Sequence, residues 1–155
     1  MNNRSKSVEE ILARLRQFLL ALAAFLCLGT IAELVLIGHY EGPTQILPLI
    51  LCGLGAICAL SVVLRAHIKT VRVLRWVMSF TFTGGLFGIY EHLEHNFGFE
   101  LEIRPNAGVS DVFWDALGGA NPLLAPGMLA VAALLALAAT YYHPLIVAGK
   151  QSGSS

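Results

Sequence analysis

Glu91, His92, Glu94 and His95 stand within the seven residues "YEHLEHN", Tyr90 to Asn96, of a 155-residue chain that is only 13% charged. Carboxylates and imidazoles together suit Zn, Fe, Mn or Cu. At about 100° per residue along a helix, Glu91 and His95 lie four apart on one face, with His92 to one side. Thr81, Gly84 and Gly88 fall on the same face. In a membrane, a small-residue seam of the Gly-x-x-x-Gly kind marks where helices approach closely. The polar cluster is therefore predicted to continue that seam into the interior of a bundle.

A second signal lies on the first apolar segment. Glu33 sits six residues before His39, about 9 Å along a helix. A carboxylate that far into an apolar span is costly and is a functional-site hypothesis by default. The expected metal ligands are Glu33, Glu91, His92 and His95, with His39, Glu41 and Glu94 beside them or at the entrance. Soluble di-metal bundles draw Glu-x-x-His pairs from facing helices. Here the two glutamates are three apart, as are the two histidines, and no second such pair exists. The likeness is one of chemistry, and no family is assigned from it.

Other uses of these residues lead to different functions. A haem would need two imidazoles from facing helices, for which His39 with His92 or His95 could serve. Glu33 could exchange a proton for a cation in a small transporter, which with so few helices would need a homo-oligomer. An acidic outer face could dock the chain as an accessory subunit of a larger membrane complex. Ser61 and Ser110 have no base nearby in sequence, so no catalytic set stands out. The three cysteines, Cys27, Cys52 and Cys58, form no CxxC pair and read as small apolar fillers. No basic stripe of the kind that binds nucleic acid is present.

The elements that must carry these residues are apolar. The chain is 56% hydrophobic, its mean hydropathy is +0.70, and its apolar residues come in long blocks. Four blocks (about 17–39, 46–64, 73–90 and 122–142) approach the roughly 20 residues that cross a bilayer. The fold expected is an all-α membrane protein in one domain. Its four transmembrane helices are placed at about 8–39, 46–64, 73–95 and 122–143, with an outer loop at 96–121. Nine of the ten Lys and Arg residues lie at the N-terminus, in the second link or at the C-terminus, whereas eight of the ten acids lie toward the other side. The positive-inside rule then puts both termini in the cytoplasm and the Glu/His cluster outside. The small size, with no large soluble domain, points to a bacterial inner membrane.

Local signals set the finer expectations. Ser7 and Glu10 have capping-box spacing, and Gly42-Pro43 closes a tight first link. "FGFELEIR" alternates apolar and polar residues from Phe97 to Arg104, which predicts a strand. "SDVFWDALGG" predicts a short helix capped by Ser110 and stopped at Gly118-Gly119. Asn121-Pro122 predicts the start of the last helix. Together these make residues 96–120 an ordered lid over the outer face, and loops this long are commonly functional.

Overall fold

The computed structural model describes residues 3–151, with the side chains of residues 5–148. It is 83% helical, and no strand occurs among the described residues. The helices are α1 (Asn3–Leu36), α2 (Pro43–Leu64), α3 (Ile68–Ile103), α4 (Val109–Leu117), α5 (Leu124–Ala139) and α6 (Pro144–Gln151). Helices α1, α2, α3 and α5 form a ring in which α1 packs on α2, α2 on α3, α3 on α5 and α5 on α1. Helices α1 and α3 stand on the long diagonal and make no backbone approach to each other.

Small residues set this geometry. The inner face of α5 is Leu129, Ala132, Ala133, Ala136 and Ala139, at helical spacing. It meets Leu20, Ala23, Ala24 and Cys27 of α1, Cys52, Ala56 and Ala59 of α2, and Leu74 and Met78 of α3. Short side chains let the backbones come close, and dispersion then acts over many atom pairs. The outer surface of the ring is apolar too: Phe25, Ile57 and Phe80 are each more than 60% exposed. By length and composition, α1 and α2 can each cross a membrane.

Several boundaries differ from the sequence expectation. Ser7 and Glu10 lie inside α1 and cap nothing, because the helix already runs from Asn3. Helix α1 ends at Leu36, three residues before His39, in a Schellman turn. Gly38 takes φ +70°, the His39 amide donates to the Leu34 carbonyl, and the Gly38 amide donates to Val35. Gly42 caps α2, which starts at Pro43, three residues earlier than the expected 46. His67 caps α3 by accepting from the Lys69 amide.

The largest correction is the strand. Residues 97–103 are the last two turns of α3, which is 36 residues long. Alternation over eight residues also contains i, i+4 pairs. Phe97 and Leu101 form one such pair, both half-buried, on the part of α3 against which α4 packs. Helix α4 is capped at Gly108, whose amide donates to Asp111, rather than at Ser110. It does end at Gly118. Helix α5 starts at Leu124, after Asn121 and Pro122 have made the turn. Segment 96–120 is ordered, but it is not a lid: α4 packs on α3 alone. The two form a hairpin that projects past Tyr90 by the 13 residues to Ile103, about 20 Å of helix.

Candidate functional site

The inward face of α3 is set by Gly85, not by Gly84. A Cβ on Gly85 would stand 2.9 Å from the Ala130 nitrogen and 3.0 Å from the Pro126 oxygen of α5. One on Gly84 would meet only the Leu51 side chain of α2. Exchanging Gly84 for Gly85 in a seam that keeps Thr81 and Gly88 turns the face by roughly 35°. His92 and Asn96 now follow Thr81, Gly85 and Gly88 on the interior side, and Glu91 moves toward its edge. Asn96 is 1% exposed, whereas Glu94 and His95 are exposed.

Asn96 was not among the expected site residues, although it closes the cluster. Its amide nitrogen donates to the carbonyls of Ala116 and Asn121, both at 2.9 Å. Its oxygen accepts from the Asn121 backbone at 3.0 Å and from the Asn121 side chain at 3.1 Å. The one side chain therefore ties the end of α4 and the entrance of α5 to α3. A second tie lies near the tip of the hairpin, where Arg104 reaches both Glu100 at 2.6 Å and Asp115 at 2.5 Å. Asp115 first, then Glu100, holds the Arg104 pKa above its ordinary value.

The Asn96 clamp fixes Pro122, and Pro122 fixes His92. The His92 Nδ1 lies 2.8 Å from the Pro122 carbonyl. A carbonyl can only accept, so Nδ1 carries the hydrogen and the neutral ring keeps its Nε2 lone pair free. His95 Nδ1 is held likewise, 2.7 Å from the Glu91 backbone carbonyl. A ring nitrogen bonded to a carbonyl while the other stays open is the usual state of a metal-ligating histidine.

His39 arrives from the other side of the ring. The Schellman turn after α1 reverses the chain over the bundle, and the His39 ring comes to 6.3 Å from that of His92, centroid to centroid, tilted by 54°. Both rings border an apolar cavity of about 240 Å³ whose walls include Thr30, Leu34, Pro48 and Leu129. A neighbouring groove of about 260 Å³ is bordered by His39, Glu91, His92, His95, Thr44 and Gln45.

The structure thus gathers His39, Glu91, His92 and His95 at one end of the ring. Glu33 is half-buried on α1 but borders neither space; the inward residues of that turn are Thr30 and Leu34. Glu41 is exposed, its amide donating to Gln45. Glu94 and His95 border a third, open groove on the outward side of α3. Among the described residues, no three His, Cys, Asp or Glu side chains converge closely enough to hold a metal ion by themselves. Among the described residues, the ring–ring contact in the cluster is that of His39 with His92. No family model, curated protein or solved structure matches this chain.

Proposed function

We propose that this is a small integral membrane protein that handles a transition-metal ion, held at the outer end of its helical ring between His39 and His92. The observation that carries the reading is the ring pair. In a linear nitrogen–metal–nitrogen arrangement, two bonds of about 2.0–2.1 Å each, plus the reach from each nitrogen to the middle of its own ring, span about the 6.3 Å observed. The His92 tautomer supports it, because the nitrogen left free is a ligand nitrogen. Glu91 and His95 stand at the entrance. Two imidazoles in line, without a converging carboxylate, favour copper over tetrahedral zinc or manganese. Two protein donors with open positions suit an ion that is passed on, since structural sites close with four.

The membrane part of the reading rests on the apolar outer surface, which in water would be one large exposed patch. Helices α1, α2, α3 and α5 then cross the bilayer, with both termini on the basic, cytoplasmic side. Helix α5 has 16 residues, about 24 Å, and is extended toward the interface by exposed Tyr141 and Tyr142. Helix α3 is long enough to cross and still project.

The test is elemental analysis, with a visible spectrum, of untagged protein purified in mild detergent without chelator. About one ion per chain that is lost in His39→Ala and His92→Ala, and kept in Glu33→Ala, supports the reading. A Soret band, or metal content indifferent to both histidines, sinks it. The projecting hairpin supports a second reading, as an accessory subunit. Phe99, Ile103, Val109 and Trp114 are each more than half exposed there, beyond the segment assigned to lipid. That reading requires a partner that co-purifies from native membrane and is lost in Trp114→Ala.

A further inference from the structure

Three sulfur atoms meet in the middle of the ring, one from each of three helices. Cys27 of α1 and Cys52 of α2 are side-chain neighbours in the buried core. Met78 of α3 approaches from across the long diagonal, and Gly55 of α2 is what lets it arrive. A Cβ built on Gly55 would lie 3.4 Å from the Cys27 Sγ and 3.6 Å from the Met78 Sδ. The two sulfurs therefore border the same position, where the missing side chain leaves room for the Met78 thioether, its methyl 3.2 Å away. Cys27, Cys52 and Met78 are all fully buried. Cys27 lies nine residues below the end of α1, and Cys52 nine residues past the start of α2. Both are about 14 Å in from that end, so their depths match.

We infer that Cys27, Cys52 and Met78 form a copper(I) site in the core of the protein. Thiolate and thioether donors select Cu(I) among the ions a cell offers. The ion enters already reduced, so no electron is transferred. Both thiols give up their protons to solvent as their sulfurs bond the ion, and the thioether binds as a neutral donor. The bound site then carries one net negative charge.

A path leads toward this site. The cavity beneath His39 and His92 reaches down α1 to Thr30, and Cys27 is one helical turn further in. The sulfur site stands on its own geometry. Only its role as the next stop for an ion delivered by the histidines rests on the outer site proposed above. Cys58 is half-buried elsewhere on α2 and takes no part.

The experiment is an anaerobic competition titration of the full chain in detergent. Cu(I) is supplied as its acetonitrile complex against a chromophoric Cu(I) chelator, and thiolate-to-copper absorption is followed in the ultraviolet. The wild type is expected to bind about two Cu(I) per chain. Cys52→Ser and Cys27→Ser should each lose one equivalent together with the thiolate absorption, while Cys58→Ser loses neither. Met78→Leu keeps the volume and should weaken the same equivalent. His39→Ala/His92→Ala should lose the other equivalent and keep the thiolate band. If only that histidine-dependent equivalent is missing from the wild type, the outer site fails and the sulfur site stands. The sulfur site is overturned if Cys27→Ser/Cys52→Ser binds as much Cu(I) as the wild type. It is equally overturned if Cys58→Ser removes the band, or if no thiolate band appears in folded wild type.

Discussion

Replacing Asn96 by Ala should release the outer hairpin while leaving the helical ring folded. The side chain is 1% exposed and makes four hydrogen bonds to the end of α4 and to Asn121. A hydrogen bond contributes about 0.5–1.5 kcal/mol net, and a buried acceptor left unpaired costs about 1–3 kcal/mol. Ala116 is buried, and its carbonyl loses its Asn96 donor and keeps a longer bond from the Gly119 amide at 3.4 Å. Asn121 is exposed, and water can replace its lost partners. The sum is about 2–4 kcal/mol, and it falls on one local opening because α4 packs on α3 alone. Hydrogen exchange in detergent or nanodiscs reads this directly. Amides of residues 112–118 should exchange at least about thirtyfold faster in Asn96→Ala, since every 1.4 kcal/mol is tenfold. Amides of α1 and α2 should hardly change. Exchange in α4 within threefold of wild type would refute the clamp. The same variant frees Pro122, so metal affinity should fall by about 10- to 100-fold, as when a partner behind a ligand is removed.

Further outcomes follow from single positions. Gly85→Ala should destabilise the ring by about 1–3 kcal/mol, the usual cost of overpacking, because its Cβ meets backbone of α5 that cannot move alone. Gly127→Ala, with open space around it, should stabilise by about 0.5–1 kcal/mol; denaturation in mixed micelles measures both, and equal effects would contradict the packing described. His143 accepts from the Leu145 amide, and its pKa is lowered by burial and then by the charge of Arg16. A depressed histidine pKa means the unfolded chain binds the proton more readily. Its contribution is therefore present above the ordinary pKa of about 6.5 and is lost as pH falls through the lower folded value. Thermal unfolding between pH 7.5 and 5.5 should show this loss, and His143→Gln should flatten it.

Much of the fold was legible because long apolar blocks have few alternatives. The expected and observed spans of α2 share the end at Leu64, and its start at Pro43 follows from ring chemistry. What was not legible turned on neighbours in space. The alternation from Phe97 to Arg104 satisfies strand and helix alike, and α3 simply continues through it because no Pro or turn interrupts. The choice between Gly84 and Gly85 for the seam depends on where Pro126 and Ala130 come to lie, which sequence does not state. That choice decided which of Glu91, His92 and Asn96 faces inward. His39 was one step from the expected ligands, since a straight helix aims it away from Glu33; the Gly38 turn re-aims it. The cysteines read as scattered because Cys27 and Cys52 are 25 residues apart, and only the α1–α2 hairpin brings them together.

The proposed sharing of an ion by His39 and His92 is tested most directly by X-ray absorption on the Cys27→Ser/Cys52→Ser variant loaded with one equivalent of Cu(I). The sulfur donors are then removed from the ring's interior, and the outer site is left alone. The proposal requires two nitrogen scatterers near 2.0 Å with the outer-shell pattern of imidazole, lost when His39 and His92 are also replaced by Ala. A spectrum without imidazole scattering, or one that the histidine substitutions leave unchanged, would contradict it.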